Sequence, residues 1–262
     1  MNLDLTNKTA LVCGASQGLG AATVKELASL GATVYALARN EDRLKALVSS
    51  LDVSKQQQHG YISADTSQPV DLKNKINTCL GNGILFQILV NNTGGPPSLP
   101  LLETKAEDME SAFRSHLSSA HILSQLLVPG MKKSGYGRII NIVSTSVKQP
   151  IPRLGISNTV RAAVANWAKT LSEEVGRFGI TVNNILPGYI KTDRLNELFT
   201  VQANASGQTT NQIIERSLSV IPAGRLGEPQ EIAAAIAFLC SPAAAYINGI
   251  NLPIDGGRTS GL

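Results

Sequence analysis

The first clue to the fold is the segment at residues 9–20, which reads TALVCGASQGLG. Thr9 to Cys13 is a short apolar run, and from Ala21 to Leu30 apolar residues recur at helical spacing until Gly31 interrupts them. Between the two runs lies a turn that contains Gly14, Gly18 and Gly20. The pattern predicts a strand, a glycine-rich turn and a helix.

The same alternation of strand and helix continues along the chain. A second buried strand is predicted at Ala32–Ala38, followed by a helix at Glu41–Leu51. Further strands are predicted at residues 60–64, 84–90, 137–143, 180–185 and 250–254, and further helices at residues 70–80, 106–131 and 157–177. Continuous β-branched strands that alternate with helices are typical of a parallel sheet covered on both faces. We therefore expect an α/β fold: one doubly wound, Rossmann-type domain over residues 1–262, with ligands at the carboxyl edge of the sheet.

One segment interrupts this regularity. Residues 194–212 are polar and follow Pro187-Gly188. We interpret them as a lid inserted over a site, and the alternative is a plain solvated helix and loop.

Composition excludes several classes of protein. The chain has 43% hydrophobic residues and a net charge of +4, but its Lys and Arg residues are scattered, which argues against nucleic-acid binding. Three distant cysteines, Cys13, Cys79 and Cys240, indicate neither a disulfide framework nor a metal site and favour a reducing, cytoplasmic compartment. Neither a signal peptide at Met1–Lys8 nor an apolar run of roughly 18 residues is found, so we expect no membrane contact.

Each of the three glycines would have a specific role in binding a ligand. Gly14 would permit a tight turn, Gly18 would let the backbone approach a diphosphate, and Gly20 would let the helix pack closely on the strand. The amino end of the helix would face the negative charge. The alternative, an ordinary tight turn, is disfavoured because the glycines occupy the first turn of a β-α-β unit. The segment therefore predicts a dinucleotide site.

The motif GASQGLG resembles the form found in short-chain dehydrogenases/reductases, and further signatures of that family follow in order. They are Asp65 after the third strand, Asn92-Thr93-Gly94 in place of Asn-Ala-Gly, GRIIN at residues 137–141, Pro187-Gly188 with Thr192, and Asp255-Gly256-Gly257. The resemblance covers essentially the whole chain. Besides the three glycines, it implies that the cofactor is held by Ser16, Gln17, Leu19, Asp65, Thr66, Asn92, Thr93, Gly94, Pro187, Gly188, Ile190 and Thr192. It also implies a homodimer or homotetramer formed through the two longest helices.

The residues that select between NAD and NADP are expected at the end of the second strand, at Arg39-Asn40. An acidic residue there would suit the ribose hydroxyl of NAD, whereas a guanidinium suits a 2′-phosphate. We therefore predict NADP, with NAD as the alternative. Arg39 would otherwise be a solvated residue that opens a helix.

The family resemblance also implies a catalytic set of asparagine, serine, tyrosine and lysine. Ser144 retains the serine, but Ser157 stands at the tyrosine position, Arg161 at the lysine position and His116 at the asparagine position. Ser157 and Arg161 are four residues apart and share a helical face. A serine hydroxyl is a much weaker acid than a phenol.

Our hypothesis for this altered set is that His116 transfers the proton, because imidazole titrates near neutral pH. The alternatives are that Ser157 is a helix N-cap, that Arg161 is a charge partner for cofactor or substrate, and that His116 is simply hydrogen-bonded to a neighbour. Lys148 and Arg153 could meet an anionic substrate or remain solvated.

These features predict an NADP-dependent oxidoreductase that acts on a carbonyl or secondary alcohol of a small molecule, most similar to 3-oxoacyl-carrier-protein reductases. Two other functions remain open. The first is a non-catalytic dinucleotide-binding sensor or assembly protein, and the second is a lyase or isomerase that uses the cofactor structurally.

Overall fold

The computed structural model describes residues 1–261, which contain a seven-stranded parallel sheet in the order β3-β2-β1-β4-β5-β6-β7. The strands are β1 (Thr9–Cys13), β2 (Thr33–Ala38), β3 (Gly60–Ser63), β4 (Ile88–Asn91), β5 (Gly137–Ile142), β6 (Ile180–Pro187) and β7 (Asn251–Ile254). The winding direction reverses between β1 and β4, where Val12 pairs with Val90. Ligand clefts form at such a reversal, outside the carboxyl ends of the strands.

Helices cover both faces of the sheet, as predicted. They are α1 (Gly18–Ser29), α2 (Glu41–Ser49), α3 (Pro69–Gly81), α4 (Ala106–Phe113), α5 (Ser119–Ser134), α6 (Gly155–Val175), α7 (Asp193–Ser206), α8 (Thr210–Ser219) and α9 (Pro229–Cys240).

Burial of the sheet on both sides explains the apolar strands. In β1, Val12 belongs to a core with residues of α1, α2 and α9, whereas Leu11 belongs to a second core with residues of α3, α5 and α6. Most positions of the central strands are therefore buried and apolar, whichever face they point to.

The predicted helix over residues 106–131 is divided. A π-helical turn at Arg114–Ser118 separates α4 from α5, and it contains His116. Such single π-helical turns are frequent at functional sites. The spacing of apolar residues does not distinguish this turn from an α-helix.

The structure corrects one further expectation and adds one helix that the sequence analysis did not predict. The strand predicted from Ile84 begins only at Ile88, because the amide of Ile84 still bonds the Cys79 carbonyl at the end of α3 (3.2 Å). Sequence reasoning missed α9, although Pro229 at its first turn and the bond from the Glu228 amide to the Glu231 carboxylate (2.8 Å) are recognisable start signals.

Residues 194–212 are mostly helical, and their action as a lid stays a prediction. The Thr192 hydroxyl caps α7 by accepting from the Leu195 amide (3.3 Å), and Thr209 caps α8. Leu195, Phe199 and Ile213 pack together in a small core of their own. The two helices thus form a separate layer above the carboxyl edge of the sheet.

Candidate functional site

A cleft of about 920 Å³ lies at the carboxyl edge of the sheet. The segments that follow β1, β2, β3, β4, β5 and β6 line it, together with α7. Every predicted cofactor residue except Gly20 lines this cleft, and so do Ser144, Ser157 and Arg161; His116 does not.

At two of the three glycines in the turn after β1, a side chain would not fit. Gly14 has φ +59°, and a Cβ there would lie 2.7 Å from the Asn92 carbonyl oxygen. A Cβ on Gly20 would lie 2.1 Å from the Gly14 carbonyl oxygen, so Gly20 lets α1 fold back tightly on the end of β1. Gly18 has φ +55° and lines the cleft. Because α1 begins at Gly18 and Gln17 gives it no side-chain cap, its first amides can bind an anion.

Arg39 is exposed at the end of β2 and lines the cleft. Asn40 also lines the cleft, and its side chain caps α2 by accepting from the Arg43 amide (2.9 Å). Arg43, which sequence reasoning missed, lies on the same rim and donates to the Gln17 side chain. Its signal was its position four residues after Arg39, on the first turn of α2. Neither guanidinium is ion-paired within residues 1–261, so both are available to a phosphate.

The loops after β3 and β4 are held by local hydrogen bonds. Asp65 accepts from the Ser67 amide (2.8 Å), and the Asn92 side-chain amide donates to the Gly14 carbonyl (3.2 Å). The second bond joins the loops after β1 and β4 across the reversal point of the sheet. These loops form one continuous wall of the cleft.

Ser144 and Ser157 lie at the deeper end of the cleft. Ser144 follows β5, and its hydroxyl oxygen accepts from the Ser146 amide (3.1 Å). Ser157 is in the first turn of α6, which begins at Gly155 with Leu154 at the N-cap position. The N-cap interpretation of Ser157 is therefore wrong.

Arg161 is 8% exposed and projects from α6 toward the end of β5. Its Nη1 donates to the Ile142 carbonyl (2.6 Å), and its Nε has no hydrogen-bond partner within residues 1–261. Burial, together with the nearby charge of Arg194, lowers the pKa of Arg161 to about 10. The side chain therefore remains a cation at neutral pH, with no carboxylate within 4.0 Å in the described part of the chain.

His116 is 6% exposed and bonds the Thr93 hydroxyl through Nδ1. Burial, followed by the charge of Arg161, lowers its pKa to about 2. The expectation that this imidazole titrates near neutral pH is wrong, because desolvation disfavours its cation. Its catalytic role stays a prediction, and the observed contact is the one that joins the π-helical turn to the loop after β4.

Several residues that sequence reasoning missed complete the cleft. Leu198, Phe199 and Gln202 of α7 line it, and Arg194 Nη2 donates to the Pro96 carbonyl (2.9 Å). Tyr189 and Arg258 line it as well, with the Arg258 guanidinium 4.7 Å from the centre of the Tyr189 ring. Lys148 and Arg153 are exposed and do not line the cleft.

Neither a metal-ligand cluster nor a membrane-spanning helix is found within residues 1–261. Within them, no three His, Cys, Asp or Glu side chains are grouped as metal ligands. None of the helices in that range combines the length and the apolar character that a membrane crossing requires.

Fold and cleft together define a Rossmann-type protein with a site suited to a dinucleotide. Comparison with known proteins identifies the family. Residues 14–259 match the family model described as enoyl-(acyl carrier protein) reductase. The chain therefore belongs to the short-chain dehydrogenase/reductase family of oxidoreductases.

Individual relatives match nearly all of this chain. A 3-oxoacyl-[acyl-carrier-protein] reductase FabG of Vibrio cholerae is 35% identical, over 97% of this chain and 98% of its own length. A chloroplastic tropinone reductase homolog of Arabidopsis thaliana is 32% identical, over 97% of this chain and 76% of its own. The solved structure of L-sorbose reductase from Gluconobacter frateurii, complexed with NADPH and L-sorbose, is 29% identical, with a TM-score of 0.92 over 100% of both chains.

Proposed function

We propose that this protein is an NADP-dependent oxidoreductase that interconverts a carbonyl and a secondary alcohol in a small molecule. One observation carries the proposal: the glycine turn after β1, the Arg39 guanidinium after β2 and the Ser144 hydroxyl after β5 open onto a single cleft. The names of the relatives support it, since they include 3-oxoacyl-carrier-protein reductases and a sugar reductase complexed with NADPH.

In this proposal the residues of the cleft divide into two groups. The amides of the glycine turn hold the diphosphate, and Arg39 and Arg43 hold the 2′-phosphate. When bound, the nicotinamide supplies the hydride. Ser144 donates a hydrogen bond that orients and polarises the substrate oxygen.

Proton transfer to the substrate oxygen is the step that the missing tyrosine affects most. Ser157 lines the cleft at the position of the missing tyrosine, so its hydroxyl is placed to pass a proton from solvent to the substrate oxygen. An aliphatic hydroxyl is a poor general acid, and a well-placed acid contributes about 10²–10⁴-fold to rate. We therefore expect slow turnover.

A second candidate function is a non-catalytic NADP-binding protein. It is favoured by Arg161, whose Nη1 is bonded to the Ile142 carbonyl while the tyrosine that a lysine would assist there is absent. The cofactor end of the cleft would serve either function equally well.

The cofactor half of the proposal is tested by titration with NADPH and NADH, followed by nucleotide fluorescence. We expect NADPH to bind at least about tenfold more tightly, and Arg39→Ser to remove most of that preference. Arg153→Ser is the matched control, because Arg153 is exposed and lies outside the cleft. Absence of binding by both nucleotides would overturn both candidate functions.

The catalytic half is tested by a screen of ketones in which NADPH absorbance is followed. Ser157→Tyr should raise turnover by about 10²-fold, since a phenol is a stronger acid than the serine hydroxyl. Tight NADPH binding without turnover in the wild type and in Ser157→Tyr would contradict the enzymatic proposal and favour the binding protein.

Three further parts of the proposal concern the whole chain. We infer that α7 acts as the lid, which the Arg194 bond to Pro96 fastens across the cleft. We also infer a homodimer or homotetramer that pairs α5 and α6, which light scattering would test. The free thiols of Cys13, Cys79 and Cys240 suit a cytoplasmic location.

A further inference from the structure

The deeper end of the cleft has an unbalanced charge. Within residues 1–261, five arginines line the cleft but only two carboxylates do, Asp65 and Asp193. Arg39, Arg43 and Asp65 belong to the end assigned to the cofactor's 2′-phosphate and adenosine. Three arginines and a single carboxylate therefore remain for the rest of the cleft, and the three are Arg161, Arg194 and Arg258.

One of these three arginines already has a partner. Arg194 Nη1 lies 3.3 Å from the Glu197 carboxylate, and its Nη2 donates to the Pro96 carbonyl. Arg194 therefore has part of its charge compensated by Glu197, although that charge still acts on Arg161.

Arg258 has no such partner among residues 1–261. Its guanidinium lies over the Tyr189 ring, its Nη1 is 3.5 Å from the Thr145 hydroxyl oxygen, and its Nε is buried without a hydrogen bond. The nearby carboxylate of Asp255 is used elsewhere: it accepts from the Gly257 amide (3.0 Å) and from the amide and hydroxyl of Thr259 (2.8 and 2.5 Å). Stacking on an aromatic ring holds a guanidinium flat and leaves its edge free for a carboxylate.

Arg161 supplies a second positive charge to the same part of the cleft. It is anchored on Ile142, two residues before Ser144, whereas Arg258 reaches Thr145, one residue after it. Arg161 is more than nine-tenths buried, its Nε is unpartnered, and no carboxylate of residues 1–261 lies within 4.0 Å. Leaving a buried charge uncompensated is costly, and a bound anion would remove that cost.

We propose that the deeper end of the cleft is an anion subsite, in which Arg258 binds a carboxylate of the substrate and Arg161 adds a second positive charge. This inference rests on the proposed function, since the anion is part of the molecule whose carbonyl faces Ser144. The substrate class is therefore a keto acid or the corresponding hydroxy acid. Lys148 and Arg153, the two cations that the sequence suggested for such a substrate, lie outside the cleft.

The test compares levulinate with methyl levulinate, which carry the same ketone and differ in the charge of the acid group. Affinity for the NADP⁺-loaded protein is measured by calorimetry, because the oxidised cofactor prevents turnover. We expect levulinate to bind at least about tenfold more tightly than the ester. Arg258→Gln should bring that ratio close to one, and Arg258→Lys should retain part of it.

Lys148→Gln removes an exposed cation outside the cleft and should leave the ratio unchanged. Equal affinity for acid and ester in the wild type, no binding of levulinate, or a ratio that survives Arg258→Gln would overturn the inference. NADPH affinity is measured for each variant, so that failure of the cofactor site is seen separately. If no cofactor binds, the proposed function fails, and the comparison of acid and ester on the free protein still decides whether the anion subsite exists.

Discussion

Burial has opposite consequences for two basic side chains, Arg161 and His116. Arg161 keeps its charge, because even a pKa lowered to about 10 lies well above neutral pH. His116 loses its charge, because the same desolvation lowers a pKa that starts at 6.5 to about 2. The sequence could indicate which residue types occupy the catalytic positions. It could not indicate their protonation, which depends on neighbours brought together by the fold.

The neutrality of His116 makes stability depend on pH. Between pH 2 and 6.5 the unfolded chain binds one more proton at His116 than the folded chain does, so the unfolding free energy falls as pH falls below 6.5. The contribution amounts to about 2 kcal/mol between pH 7.5 and 5.0 and is constant above pH 7.5. Urea denaturation of the wild type and His116→Gln at the two pH values measures it, and the variant should lose that part of the pH dependence.

The control is His121→Gln, which changes an exposed histidine of α5. This variant should retain the pH dependence of the wild type. If His116→Gln retains it in full, the imidazole is charged in the folded protein, and the positioning contact with Thr93 must be reinterpreted.

At the scale of elements, four asparagines form a hydrogen-bonded row across β4 to β7. Asn91 donates to Asn141 (2.9 Å), Asn141 to Asn184 (2.9 Å) and Asn184 to Asn251 (2.8 Å), each through its side-chain amide. The four residues are opposite one another in the strand register. The row therefore ties the strands that carry Asn92 and Ser144 to the edge of the sheet.

Replacing a central asparagine of this row should lower the unfolding free energy more than replacing the asparagine at its exposed end. Asn141 is 1% exposed, and Asn141→Ala leaves a donor of Asn91 and an acceptor of Asn184 buried without partners, so we expect a loss of about 3 kcal/mol in unfolding free energy. Asn251→Ala, at the exposed end, should cost less than about 1 kcal/mol. Urea denaturation of both variants measures the difference, and equal losses would show that the row does not act as a unit.

An element was predictable when its sequence signal lay within a short stretch of the chain. The strands were predictable because burial on both faces demands apolar, β-branched runs. The asparagine row was not, since its members are 50, 43 and 67 residues apart in sequence. The π-helical turn at Arg114–Ser118 and the late start of β4 were also missed, because each keeps the apolar spacing of the neighbouring structure.

At the scale of the whole molecule, the part of the cleft at the glycine turn was predictable from the sequence, and the part lined by Arg194 and Arg258 was not. The glycine turn lies within one β-α-β unit of 30 residues, Thr9–Ala38, and Arg39 is the residue that follows this unit. Arg258 reaches Thr145 over a separation of 113 residues, and Arg194 reaches Pro96 over 98. No local pattern encodes such contacts, so the place of these residues in the cleft is seen only when the sheet is complete.

Because the cleft is assembled from loops along nearly the whole chain, only the folded molecule can bind the cofactor. Ligand at about 100 times its dissociation constant then stabilises the protein by about 2.7 kcal/mol. For a domain of this size, that corresponds to a rise in Tm of roughly 5–10 °C. Calorimetry with saturating NADPH should show this rise in one transition, as expected for a single domain, and the same concentration of NADH should give a smaller one. Two transitions, of which only one responds to NADPH, would contradict the single-domain prediction, because α7 and the sheet would then be unfolding independently.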